Sequence, residues 1–300
     1  MKSTTKRGGI AARYEAIFGY LFVSPMVIGY ALFLLGPIVA VFAMSFTDWS
    51  LIKASQFIGM DNYKKLLIDD VFWETVWNTF YFTAVLVPLN IIVTLGLALL
   101  LKERIPGVGL FRTAFFTPVV TSLVAWAVVW KYIFQTDNGL VNSLLKLFDV
   151  TGPAWLHDMT LTMPVIIFVT LMKGFGINMV IFLAALNDVP EMYYEAAKLD
   201  GASRWRSFWH VTLPLISPSM FMVVILTIIG SLKVFGQIYI ITGGGPGTST
   251  YVFIYYIYSL AFKEYQFGYA TTIAFIVFVV IMLITIVQWN ARKRWVHYES

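Results

Sequence analysis

Six stretches of this chain are each long enough and apolar enough to cross a lipid bilayer, and this restricts the fold more than any other feature. They run approximately over 18–43, 76–101, 110–134, 161–186, 219–241 and 269–289. A helix needs about 20 apolar residues to traverse the hydrocarbon core. Lipid offers no partner to backbone N–H and C=O groups, so a spanning segment must satisfy them internally, as a helix or within a closed barrel. The runs are apolar on every face and lack the alternation of barrel strands. They predict an all-α polytopic membrane protein with six transmembrane helices. Only 12% of the 300 residues are charged, against about 25% in a soluble domain, too few to cover a water-facing surface. The basic N-terminus followed by an apolar run from Phe18 has the outline of a signal peptide, but the run is too long for one. It reads as a retained first span.

Cationic residues set the expected orientation, because cytoplasmic loops are enriched in Lys and Arg. Thirteen fall on one side: Lys2, Lys6, Arg7 and Arg13; Lys102, Arg104 and Arg112; Lys198, Arg204 and Arg206; Arg292, Lys293 and Arg294. Six fall on the other: Lys53, Lys64, Lys65, Lys131, Lys146 and Lys263. Both termini are therefore expected in the cytoplasm, with the chain in the cell membrane. Loop cations beside lipid account for the net charge of +5 without a nucleic-acid partner. The absence of cysteine excludes disulfides, thiolate metal sites and cysteine nucleophiles, and His157, His210 and His297 are too scattered for a His-rich metal motif. The outer segment 47–74, with Asp61, Asp69, Asp70 and Glu74, reads as a short helical cap. Turn signals stand at Asn138-Gly139, at Gly152-Pro153 and in the TGGGPGT sequence over 242–248.

The loop 187–218 between spans four and five carries the most chemistry. It reads NDVPEMYYEAAKLDGASRWRSFWHVTLPLISP. Asp188 is a candidate cap, and Pro190 suits a first helical position, where no N–H is needed. The first helix should end before Gly201, which tolerates a left-handed C′ conformation. Ser203 can cap a second helix over 204–211, and Pro214 should stop it. The expectation is an elbow of two helices on the inner face. Ala196 and Ala197 permit close approach by another surface, and Glu195 offers a charge to a basic partner. A docking element and an interfacial helix touching only lipid or its own spans both fit these residues.

A family resemblance separates the two. Glu195-Ala196-Ala197, three residues, Gly201, nine residues, then Val211-x-Leu213-Pro214 matches the EAA loop of bacterial ABC importer permeases, with Val211 where isoleucine is commoner. The segment FIGMDNY over 57–63 resembles the FVGLDNY stretch of the sugar-importer branch, and YIITGGGP over 239–246 resembles its YxLTGGGP exit from span five. Asn178 with FLAAL over 182–186 resembles its span-four ending. The chain is similar to the larger of the two maltose-type permeases, without that subunit's large outer insertion. The resemblance implies a single transmembrane domain over 1–300, paired with a second homologous permease. Two ATPase subunits and an extracytoplasmic solute-binding protein would complete the importer. Glu195, Ala196, Ala197, Gly201, Leu213 and Pro214 are implied to couple to an ATPase. ATP and Mg would belong to that partner, because this chain has no GxxxxGK[ST] phosphate loop and needs no cofactor of its own.

Polar residues inside spans are costly and mark candidate pathways. Lys173, Asn178, Lys233, Gln237 and Tyr239 are the candidates for solute contact, with Asn90, Trp126, Trp130 and Phe175 as further amides and rings. Lys233 and Gln237, one turn apart, are expected on one helix face. Each has a structural alternative. Asn90 suits a helix–helix hydrogen bond, Lys173 can snorkel or pair with a neighbouring subunit, and the tryptophans suit packing or the interfacial belt. An ion-gradient transporter is disfavoured, because no Asp or Glu lies in the core of a span and the EAA pattern would go unexplained. An intramembrane enzyme lacks a nucleophile–base pair.

Overall fold

The computed structural model describes residues 9–50, 55–102 and 106–295. Lys2, Lys6, Arg7, Lys53, Arg104 and His297, and the side chains of Lys293 and Arg294, lie outside the described residues. The described residues form helices joined by turns and loops, with one isolated bridge between Thr47 and Phe57. Helix α1 (Gly9–Tyr30) runs through a π turn (Ala31–Leu35) into α2 (Gly36–Met44). The segment after α2 contains the short α3 (Asp61–Leu67), followed by the long α4 (Asp70–Lys102). Then come α5 (Val108–Val120), α6 (Leu123–Ile133), the short α7 (Leu140–Lys146) and α8 (Thr162–Asp188). The loop after α8 holds α9 (Glu191–Leu199) and α10 (Arg204–Ser207), which continues through a π turn (Phe208–Thr212) into α11 (Leu213–Leu215). Helices α12 (Ser217–Leu232), α13 (Gly236–Ile241), α14 (Phe253–Tyr258) and α15 (Phe267–Trp295) complete the chain.

Four described segments are long and apolar enough to cross a membrane: Arg13–Met44, α4, α8 and Phe267–Arg292. Two of the expected spans are not single helices. Span three is broken into α5 and α6, which meet at 102°. Thr121 and Ser122 are extended there, and Pro118, one turn earlier, lacks an amide hydrogen and so leaves a carbonyl unpaired. Span five is α12 followed by a non-helical link over 233–235 and then α13. Periodicity could not reveal these breaks, because both sides of each are equally apolar.

The centre of the bundle is α4 packed along α8, with α12 and α5 against the same pair. Lipid tails are as apolar as leucine, so helix pairing in a bilayer rests on close approach and polar contacts. Gly176 shows the first. A Cβ built there would stand 2.4 Å from the carbonyl oxygen of Phe115, so α5 meets α8 backbone to backbone. Three apolar clusters fill the bundle. One joins α4, α6, α8 and α13 around Phe82, Ile166 and Ile238. A second gathers α14 and α15 around Tyr256 and Ile273. The third, around Leu95, Met179 and Ile216, lies where α4 and α8 end beside the elbow. None of the described side chains of α1 and α2 is buried.

Charges sort to the two ends. Lys102 lies over the Tyr194 ring at 4.9 Å, and Arg112 donates to the Leu101 carbonyl at 2.6 Å, so these two cations share the elbow's end. At the opposite end Asp69 joins α4 to α14 and α15. Its carboxylate accepts from Tyr256 at 2.6 Å and Tyr269 at 2.5 Å, and from the amides of Val71 and Phe72 at 3.0 and 3.2 Å. Burial pushes this carboxyl up, but the two hydroxyls and two amides outweigh it and hold the pKa below the ordinary 3.8. Such a group stabilises fully above its unfolded pKa, and the contribution is lost as pH falls through the lower folded value. Asp69→Asn should therefore lower the melting temperature of the detergent-solubilised protein at pH 7, by about 1 kcal/mol of stability once partial exposure is allowed for. The gap between the two proteins should narrow below pH 4. Equal melting curves at pH 7 would remove the clasp from this account.

Candidate functional site

A cavity of about 390 Å³ opens between α4, α8, α12 and α13. Its polar lining is Asn90 from α4, Thr170, Lys173 and Asn178 from α8, Thr227 and Ser231 from α12, and Gln237 from α13. The apolar lining comes from Leu86, Ile177, Ile181 and Leu226, with Gly174 and Gly230 leaving space. Asn178 ties three walls together. Its Nδ2 donates to Asn90 Oδ1 at 2.6 Å and to Thr227 Oγ1 at 3.3 Å. Asn90 and Asn178 are both buried. The Thr227 hydroxyl in turn donates to the Val223 carbonyl at 2.7 Å, and Ser231 meets Thr83 at 2.9 Å. The buried hydroxyl of Thr170 has no partner among the described residues.

Lys173 has a different role from the amides. Its ammonium donates to the carbonyl oxygens of Pro118, of Val119 at 3.2 Å and of Thr121 at 2.7 Å. An ammonium has three donors and no acceptor, and here all three are engaged by the end of α5. The last carbonyls of a helix carry a partial negative charge and have no intrahelical donors. Lys173 answers both needs where the chain breaks inside the bundle. Neither snorkelling nor a neighbouring subunit is required to satisfy it.

Of the candidates named from sequence, Lys173, Asn178 and Gln237 converge on this cavity, and Asn90 joins them. Lys233 and Tyr239 do not. The helix stops at Lys233, so the shared face expected with Gln237 is not formed, and Lys233 is exposed in the link. Tyr239 stacks on Phe235 at 5.4 Å and stands edge-on to Tyr258 at 5.2 Å, outside the lining. Trp126 donates to the Val169 carbonyl at 3.1 Å, and Trp130 stacks on Phe134 at 5.7 Å; both are packing residues. Phe175 is buried against Phe115 at 5.8 Å. Thr170, Thr227 and Ser231 were missed in the sequence. Threonine and serine pass unnoticed in a span because they bond back to their own helix. Thr170 is four residues before Gly174 and one turn from Lys173, which was the available signal.

The elbow stands at the far end of α8 and α12. Helix α9 is exposed, with Glu195 and Ala196 open to solvent. Its C-terminus is closed by a Schellman pair, with Gly201 N–H donating to Lys198 C=O at 3.0 Å and Ala202 N–H to Ala197 C=O at 2.9 Å. Gly201 takes φ +73, the left-handed conformation that glycine adopts most readily. Ser203 caps the second limb as expected, its Oγ accepting from Arg206 N–H at 3.3 Å. Two local expectations are corrected. Asp188 is the last residue of α8 and Pro190 is extended ahead of α9, so neither opens α9 from within. Pro214 does not stop the second limb. The π turn over Phe208–Thr212 shifts the hydrogen-bond register, and the chain stays helical past Leu213 and Pro214 to Leu215. The phenol of Tyr194 meets the hydroxyl of Thr212 at 3.1 Å and ties the two limbs.

Removing the ammonium in Lys173→Met should leave carbonyls at the α5–α6 break unpaired, at about 1–3 kcal/mol for each group left buried. A lower melting temperature in detergent, partly restored in Lys173→Gln, is the expected result. An unchanged melting temperature would show that the break holds without the lysine.

Comparisons with known proteins agree with this geometry. The family described as binding-protein-dependent transport system inner membrane component matches residues 92–296. The probable ABC transporter permease protein YesP of Bacillus subtilis is 34% identical over 96% of this chain and 94% of its own. The lactose transport system permease protein LacF of Rhizobium radiobacter is 34% identical over 97% and 99%. A solved bacterial alginate ABC transporter, in complex with an alginate pentasaccharide-bound periplasmic protein, superposes with a TM-score of 0.84 at 22% identity, covering 96% of this chain and 98% of that one. That likeness speaks to the fold. The chain therefore belongs to the binding-protein-dependent transport system inner membrane component family, as a transport subunit of the ABC permease kind.

Proposed function

We propose that this chain forms one half of the translocation pathway of an ATP-driven importer for a sugar, oligosaccharide or related hydroxyl-rich solute. In this reading α5 with α6 and α12 with α13 each count as one span, giving six, with both termini in the cytoplasm. A second homologous permease supplies the other half. Two ATPase subunits bind ATP and Mg, and a solute-binding protein delivers the cargo from outside. The observation that carries the reading is the lining of the central cavity. Two asparagines, a glutamine and three hydroxyls surround it, and its one cation is already committed to the α5 carbonyls. Amides and hydroxyls are the groups that exchange hydrogen bonds with sugar hydroxyls, and a low-dielectric wall strengthens each such bond. The sugar-named relatives point the same way.

The loop 187–218 is the lever in this reading. Glu195, Ala196, Ala197 and Gly201 present the docking face, and Leu213 and Pro214 carry the motion into α12. Because α12 also holds Thr227 and Ser231, a tilt of the elbow displaces one wall of the cavity. ATP binding and the loaded binding protein then bias a two-state bundle through differential affinity.

Affinity purification of the chain from membranes in mild detergent should recover an ATPase and a second permease. A lone protein, in detergent that keeps other ABC complexes intact, would remove the importer assembly. Glu195→Lys and Gly201→Arg should leave the chain inserted and assembled, while ATP hydrolysis no longer drives uptake. Normal uptake in both variants would exclude α9 as the coupling element. Asn178→Leu should cost on the order of 1 kcal/mol in helix association and impair uptake far more than assembly. Normal uptake would make the Asn178–Asn90 pair purely structural.

A further inference from the structure

We propose that the second limb of the elbow, Arg204–Leu215, is an in-plane membrane anchor that sits among anionic lipid headgroups. The inference rests on the proposed reading of α12 as a span with the elbow on its cytoplasmic side. The limb is continuous through its π turn and meets Ser217–Leu232 at a bend of 70°. Membrane helices tilt on average about 20° from the bilayer normal. A limb at this angle to α12 therefore runs close to the membrane plane.

Its side chains suit that position. Trp205 stacks on Phe208 at 5.8 Å, and Trp209 stands edge-on to both at 5.6 Å. Phe208 packs against the apolar cluster of Leu95, Met179 and Ile216, which sets the rings level with the ends of α4 and α8. The apolar surface does not end at the bundle. It continues outward through Trp205, 70% exposed, and Trp209, 50% exposed. Indole rings with one polar N–H are the side chains that favour the headgroup zone. Arg204 and Arg206 flank the rings, both are exposed, and neither has a carboxylate partner among the described residues. His210 extends the polar edge, its Nδ1 3.0 Å from the Arg206 carbonyl oxygen. Rings on the bundle side with guanidiniums beside them form the pattern of a helix lying in an anionic interface. Each such cation near an anionic surface adds about fivefold in affinity.

The anchor has a mechanical consequence. The limb can pivot in the headgroup layer but resists leaving it. A push on α9, passed through the Tyr194–Thr212 contact, is then converted into a turn of α12 instead of a slide of the whole elbow.

The absence of cysteine makes a site-directed test direct. The assembled transporter is reconstituted with a spin label on Trp209→Cys and, separately, on Trp205→Cys. Vesicles are made of phosphatidylcholine alone or with added phosphatidylglycerol. Both labels should collide with lipid-dissolved oxygen and be shielded from an aqueous nickel chelate. The shielding should deepen with phosphatidylglycerol, and Arg204→Gln with Arg206→Gln should abolish that increment. Labels open to nickel, or closed to both reagents under a protein subunit, would overturn the anchor. Shielding that ignores phosphatidylglycerol would overturn its anionic component. A label on Leu283→Cys separates this from failure of the underlying reading. Leu283 on α15 should be out of water. If Leu283 is water-exposed, the bundle reading itself fails, whereas a shielded Leu283 with exposed labels on the limb sinks the anchor alone.

Discussion

Lipid supplies no hydrogen-bond partner, so wherever the backbone leaves a helix inside the bundle the protein must supply one. This constraint governs the structure. The sharpest case is the 102° turn between α5 and α6, which ends a helix beside the cavity. The ammonium of Lys173 answers the freed carbonyls from the neighbouring helix, and Gly176, three residues on, lets the two backbones touch. A lysine that costs roughly 2.5–3.5 kcal/mol at the centre of an isolated span becomes a structural pin once the broken helix is beside it. The lysine that serves the break also lines the cavity.

The same logic shapes the polar interior. Asn90, Asn178 and Thr227 satisfy one another across α4, α8 and α12. These three lining groups therefore also help to hold the bundle. In the proposed function, a solute that enters would exchange hydrogen bonds with this network, which couples its binding to the relative positions of three helices. Helix α12 is the element common to both functional regions. Its N-terminal end continues from the elbow, and its middle carries Thr227 and Ser231.

The elbow follows from local chemistry more than from burial. The Schellman closure at Gly201 and the serine cap at Ser203 are both short-range. They form a sharp corner with little support from the core. Tyr194 and Lys102 then fasten the corner to the bundle. A rigid corner exposed on one face and tied on the other is what a lever requires.

Sequence alone determined the class of solvent, the helical architecture and the corner at Gly201. These depend on apolar length and on residue types acting within a few positions. Asn178 was legible as an interior polar residue because a buried amide in lipid must find partners. Tertiary structure decided the rest. The splitting of spans three and five, the passage of Pro214 through a π turn, the exclusion of Lys233 and Tyr239 from the cavity and the contribution of Thr170, Thr227 and Ser231 to it were invisible beforehand. The physical reason is that an apolar run has the same composition whether its helix is straight or broken. What settles the matter is whether a distant donor, here Lys173 fifty-two residues from Thr121, arrives to satisfy the backbone at the break.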